Sequence, residues 1–358
     1  MIRSTVINLD YSNTGKKETV YRVMIEYRRV VNEIIKELWG ESRFSGKFVA
    51  QIDVNTWLSA RMKQCAAKQA LQIVKSQRKK DPEDRTIPVL NKLVMDLDER
   101  FVQFHEDNNT FDLWIRLSSI GDKTILWLPS KKHEHFHKFR NKGWKQRKGV
   151  RIILSPERGL IAYVYFEKPE PVKRTTGRKV GIDIGYKKLV VTSEGEIIGD
   201  GLERVILKTV GKKRNSKAYK RCLRERDALV NKAVKKFIDD DIKTVVVEDL
   251  KNVKHGKKGK MSRKTNNKLQ YWAYRRFLDC LELCCEEHGV RVLKVNPAFT
   301  SQTCHACGNV DKKARRGELY KCPVCGLTTD ADYNAARNIL FCGLGVAYGR
   351  PFDARTCQ

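Results

Sequence analysis

A chain of 358 residues is too long for one ordinary core, so two or three packed units are expected. Its 72 Lys and Arg against 42 Asp and Glu leave a formal charge of +30, a surface that repels itself and is usually kept for a phosphate-rich partner. The start MIRSTVINLD carries no apolar signal core and no run approaches 18 apolar residues, so export and membrane spanning are excluded and a cytoplasmic, nucleoid-associated protein with no membrane partner is expected.

Residues 2–9 (IRSTVINL) alternate as a short strand. From Lys17 to Trp39, Val20, Val23, Met24, Tyr27, Val30, Val31, Ile34, Ile35 and Leu38 recur at three- and four-residue steps and predict a helix with one apolar stripe. A second helix is predicted over 54–76, through Leu58, Met62, Ala66, Ala70 and Val74. After Pro88 the pattern changes to short strands, LVMDLD, RFVQFHE, FDLWIRLSS, KTILWLP, VRIILSP and LIAYVYFE, with turns at Asp107-Asn108-Asn109 and Pro156-Glu157-Arg158-Gly159, the signature of a small barrel or sandwich. PEPVKRTTGRK (169–179) reads as a linker. Beyond it come KVGIDIG, KLVVTS and EIIGDG as a strand meander, helical periodicity over roughly 203–239, the strand TVVVEDL, a helix around 271–288 and the strand VRVLKVN.

Three antiparallel strands followed by helix and parallel strands is the order of an RNase H-like fold. Asp183 lies inside the first strand, between isoleucines, where a carboxylate is costly to desolvate unless a cation meets it. Glu248 closes the fourth strand, which a right-handed crossover would lay beside the first. Asp332 opens a helix whose packing face is Ala335, Ala336, Ile339 and Leu340. Three acids suit two Mg²⁺ ions about 4 Å apart that clamp the attacking and leaving oxygens of a phosphodiester. Asp183 is expected to bridge the ions, with Glu248 and Asp332 each helping to hold one. A single Asp at a helix start is more often a cap, and Asp249 and Asp330 compete with their neighbours for these roles.

Cys304 and Cys307, then Cys322 and Cys325, form two CxxC pairs with 14 residues between them. Four thiolates at this spacing suit one tetrahedral Zn²⁺ with no open position, a structural metal. Gly308 and Gly326 follow as turn residues, and His305 is expected to be a surface neighbour rather than a ligand. The other seven of the 11 cysteines follow no framework spacing and read as free thiols. The lysine-rich stretch Lys251–Arg276 reads as a basic loop beside the acids. Trp114, Trp127, Trp144, Tyr163 and Phe166 could stack bases, although most are expected in the core.

The stretch from Val180 to Leu340 resembles TnpB, the transposon-encoded RNA-guided nuclease related to compact type V CRISPR effectors. GIDIG (181–185), VVVEDL (245–250), TSQTCHACG (300–308), RGELYKCPVCG (316–326) and ADYNAARNI (331–339) carry the resemblance. It implies catalytic carboxylates at Asp183, Glu248 and Asp332, the last chosen over Asp330 by the D-x-N-A-A match. Zinc ligands would be Cys304, Cys307, Cys322 and Cys325, and Arg316 would lie near the scissile phosphate. The implied architecture is multidomain, α+β and α/β: a first wedge-barrel strand at 1–10, a helical recognition domain at 11–87 and a wedge β-barrel at 88–172. A RuvC-like nuclease domain at 173–299, a zinc ribbon at 300–328 and the end of the RuvC domain with a tail at 329–358 complete it. The partners implied are a structured guide RNA and target DNA flanked by a short motif that the protein reads before the guide pairs. Three other functions use similar parts: a catalytically competent CRISPR-associated compact effector, an RNase H-fold transposase with the same acids, and a guide-directed DNA-binding regulator, which would be expected to have lost them.

Overall fold

The computed structural model describes residues 1–40, 52–80, 86–120, 124–239, 241–250 and 271–345. Most of the lysine-rich stretch predicted as a basic loop, 251–270, and the tail from 346 lie outside the described residues. The chain divides into two units, Met1–Pro169 and Glu170–Gln358.

The first unit begins with strand β1 (Ile2–Asn8), helix α1 (Thr14–Gly40) and helix α2 (Ala60–Lys80). The nine apolar residues of the predicted stripe are the buried residues of α1. Tyr27 donates its hydroxyl to Gln69 Oε1 at 3.1 Å, a buried polar tie from α1 to α2. Helix α2 starts at Ala60 rather than 54 because Ser59 Oγ accepts the Met62 N–H at 3.3 Å and caps it. Strands β2 (Val94–Leu97), β3 (Val102–Glu106), β4 (Leu113–Ile120) and β5 (Thr124–Ser130) follow. After helix α3 (Glu134–Asn141) come β6 (Lys145–Ser155) and β7 (Gly159–Glu167). They form two antiparallel sheets, β1-β7-β6-β2 and β3-β4-β5, sharing one core with the helices. Helix α3 escaped the sequence reading, being a short histidine-rich segment with only Phe136 and Phe139 buried. Those two rings pack on Phe166, Phe139 stacked at 4.8 Å and Phe136 edge-on at 5.3 Å. Phe166 and Trp144 are therefore core, whereas Trp127 is exposed.

The second unit opens with β8 (Arg178–Asp183), β9 (Val190–Thr192) and β10 (Ile197–Ile198). Helical periodicity over 203–239 resolves into two helices, α4 (Leu202–Val210) and α5 (Lys217–Phe237). The break has local causes: Gly211 ends α4, Asn215 adopts φ 63°, and Ser216 Oγ caps α5 by accepting the Tyr219 N–H. Strand β11 (Ile242–Glu248), helix α6 (Tyr274–Glu287) and β12 (Arg291–Val295) follow. A small hairpin sheet, β13 (Arg315–Arg316), β14 (Leu319–Lys321) and β15 (Thr328–Asp330), leads into helix α7 (Ala331–Leu344).

The main sheet runs β10-β9-β8-β11-β12, with β11 parallel to both β8 and β12. The sequence reading placed β11 beside β8, and the structure adds β12 beyond β11. Helix α7 lies directly on β8 and β11. A Cβ on Gly181 would overlap the Ala336 carbonyl, and one on Gly343 would overlap the Val246 side chain. Gly181→Ala is therefore expected to lower stability by about 2 kcal/mol through overpacking, measured by urea unfolding, or else to push α7 off the sheet.

Candidate active site and cysteine cluster

Side chains alternate along a strand, so Asp183 shares the face of Gly181 and Glu248 the face of Val246. Both of those small contacts lie against α7. The parallel register pairs Val246 with Gly181 and Val247 with Ile182, and one step further sets Glu248 level with Asp183. The opposite face, with Val180, Ile182, Val245 and Val247, packs into the core that holds α5 and α6. Asp183 and Glu248 thus project to the side on which α7 begins, and α7 begins with Asp332 as its second residue.

The electrostatics link Asp183 to both other acids. Burial, then the charges of Glu248 and Asp332, push the Asp183 carboxyl up to about 8, against the opposing pull of Arg315 and the Ile184 N–H. Burial also raises Glu248, while the Thr300 hydroxyl and Arg315 act against the shift. Arg315 Nη2 lies 2.7 Å from Asp332 Oδ1. Burial is thus the main reason the Asp183 carboxyl resists ionisation, with the two neighbouring acids adding to it. The hard oxygen donors of the three fit Mg²⁺.

The neighbouring acids have other duties. Asp330 is the N-cap of α7: its Oδ1 accepts the N–H groups of Asp332 (2.9 Å) and Tyr333 (3.0 Å), and Lys188 Nζ reaches its Oδ2 at 2.6 Å. The ordinary reading of an aspartate at a helix start thus falls on Asp330 and leaves Asp332 available. Asp249 follows one residue after Glu248, and its N–H extends the ladder to the Val295 carbonyl.

Arg316, the arginine picked out in the sequence, stands on the exposed side of β13, paired across the hairpin with exposed Leu319. Arg315 is paired with Tyr320, which is fully buried, and it is Arg315 that meets the acids. Two adjacent strand residues face opposite ways, so only one of them can reach Asp332. The signal was available: a tyrosine between two cysteine pairs marks the inward face of the hairpin.

The four cysteine sulfurs lie within 4.8 Å of one another. Cys304 to Cys325 and Cys307 to Cys322 are each 3.6 Å apart, close to the edge of about 3.8 Å for a tetrahedron with 2.3 Å Zn–S bonds. Each pair sits on a tight turn in which the following glycine donates back, Gly308 to the Cys304 carbonyl and Gly326 to the Cys322 carbonyl. Both glycines have positive φ. This donor set fits zinc. His305 is not a simple surface neighbour. Its backbone N–H donates to Asn334 Oδ1 at 3.0 Å, its Nδ1 lies 3.0 Å from the same oxygen, and its ring meets Tyr333 edge-on, so it fastens the first knuckle to α7.

Residues 274–339, from α6 through the cysteine cluster into α7, match the family described as Cas12f1-like, TNB domain. Over 97 residues the chain is 39% identical to the CRISPR-associated endodeoxyribonuclease Cas12f1 of Sulfoacidibacillus thermotolerans, a stretch covering 27% of this chain and 21% of that protein. Over 77 residues it is 38% identical to the TnpB-like protein L79 of Acanthamoeba polyphaga mimivirus, covering 22% of this chain and 15% of that protein. The matched stretches thus span about a fifth or less of these relatives. The fold reaches further. It matches the cryo-EM structure of the Cas12f1-sgRNA-target DNA complex with a TM-score of 0.63 at 15% identity, over 92% of this chain and 83% of that one.

Proposed function

We propose that this chain is an RNA-guided DNA endonuclease that hydrolyses DNA phosphodiesters at Asp183, Glu248 and Asp332. The observation that carries the reading is the parallel register that brings Glu248 level with Asp183, beside a helix that opens with Asp332, on a chain of net charge +30. So strongly basic a surface suits guide RNA and target DNA as partners, and the likeness to relatives named Cas12f1 and TnpB-like agrees with both. Asp183, Glu248 and Asp332 would together hold the Mg²⁺ that the reaction needs. When bound, such ions lower the pKa of an attacking water and offset charge on the transferring phosphate. Arg315 brings a guanidinium to the same cleft, a group whose donor fork matches phosphate oxygens. Arg316, on the outer side of the hairpin, is left to contact nucleic acid outside the cleft. The four cysteines hold a structural zinc. The first unit supplies the recognition and wedge parts. Its cleft of about 900 Å³, lined among others by Gln64, Lys68, Gln72, Arg147 and Lys148, offers donors for reading a short duplex motif.

The test is to express the full chain, sequence the RNA that copurifies with it, and reprogram that RNA against a plasmid library in Mg²⁺. A single RNA species with fixed ends and cuts that follow the reprogrammed guide are expected. Random cellular RNA would remove guiding from the reading. Target binding with no cut would leave a regulator, and ends rejoined to a second DNA would point to strand transfer.

A further inference from the structure

We propose that Thr300 is the positioning residue for Glu248 and that Asn338 sets Thr300. Helix α7 would then fix two of the three acids, Asp332 directly and Glu248 through the turn at 297–303. The proposal rests on Glu248 being a magnesium-holding carboxylate. Thr300 is buried, and its hydroxyl donates to Glu248 Oε1 at 2.5 Å, with the Pro297 carbonyl a more distant alternative at 3.1 Å. The Thr300 carbonyl accepts from Asn338 Nδ2 at 2.8 Å. The same amide reaches the Thr303 carbonyl at 2.7 Å, where Asn334 Nδ2 also donates at 2.7 Å. Both asparagines are buried.

The turn is held in a conformation it would not choose. Phe299 has φ 66°, in the left-handed region that a bulky side chain avoids. Its carbonyl is fastened by three donors, the N–H groups of Gln302 and Thr303 and the Thr303 hydroxyl. A strained residue kept in place immediately before a buried threonine that grips an acid is an arrangement directed at that acid. A donor on Oε1 restrains that oxygen and so limits how the carboxylate can turn. The buried Asn338 Nδ2 directs its donors at the carbonyls of this turn, which holds the turn to α7 without a desolvation cost for that nitrogen.

The test uses the full chain with Thr300 replaced by Ser, Cys or Val, a series of falling donor strength. Two properties are read: Mn²⁺ affinity of the protein by electron paramagnetic resonance, and the Mg²⁺ concentration for half-maximal cleavage by the guide-loaded complex. Thr300→Ser is expected to behave as the wild type. Thr300→Val is expected to weaken Mn²⁺ binding roughly tenfold or more and to raise the Mg²⁺ requirement in step, with target-DNA binding unchanged. Thr300→Cys should fall between them. An order that follows melting temperature instead of donor strength, or a Val variant with wild-type affinity, overturns the proposal. Glu248→Gln separates the two levels. If it weakens Mn²⁺ binding while Thr300→Val does not, only Thr300 loses its role, whereas wild-type binding by Glu248→Gln removes Glu248 itself from the site.

Discussion

Asp183→Asn is expected to lower guide-directed DNA cleavage by roughly 10³-fold or more while guide and target binding stay unchanged. The size follows from losing metal stabilisation worth several kcal/mol, at 1.36 kcal/mol for each factor of ten. The same substitution should make the magnesium-free protein more stable. Wild-type Asp183 holds its proton up to about 8 in the folded state, well above the ordinary aspartate range. Between those limits the folded state binds more protons than the unfolded one, so its stability drains away as pH rises. Asn carries no charge at any pH. The difference in melting temperature, variant minus wild type, should therefore grow from pH 5 to pH 8 in magnesium-free buffer that retains zinc. Adding Mg²⁺ should raise the wild-type melt and leave the variant's nearly unmoved. Cleavage at the wild-type rate would take Asp183 out of the chemistry, and a flat difference across pH would deny that burial and its neighbours raise the Asp183 carboxyl.

Cys322→Ser, or removal of zinc by a strong chelator, should unfold the cysteine cluster rather than slow the reaction selectively. Four thiolates around Zn²⁺ supply about 10–16 kcal/mol of apparent binding free energy in small zinc modules, and little else holds this one. Its own core is five buried residues, two of them the ligands Cys304 and Cys322. One zinc per chain is expected by elemental analysis of the wild type and much less for the variant. A fall in melting temperature on the order of 10 °C is also expected. A variant that folds and melts as the wild type but does not cut would show that the metal is not structural. Helix α7 follows directly on β15, so the acids should lose their arrangement when the hairpin sheet does.

Much of this is legible in the sequence. The stripe of α1 and the strand order around Asp183 rest on side-chain periodicity, which burial enforces on both faces. The cysteine spacing is legible because four thiolates and one metal admit few arrangements. What escaped the sequence has local causes. The gap between α4 and α5 depends on Gly211 and the Ser216 cap, which periodicity ignores. Helix α3 is too short to show a period. That Arg315 rather than Arg316 reaches Asp332 is a one-residue question of strand parity, which the buried partner Tyr320 answers. The roles of Asn334 and Asn338 were invisible, since buried amides look in sequence like any polar residue on a helix.

The central sheet keeps two kinds of obligation on opposite sides of the same strands. Even positions of β8, Val180 and Ile182, serve cohesion, and odd positions, Gly181 and Asp183, serve close approach and charge. Selection for stability can therefore rework the side of α5 and α6 without disturbing the spacing of the carboxylates. On the other side there is no such freedom, because a glycine wedged under a helix and an acid two residues along it answer to the same neighbour.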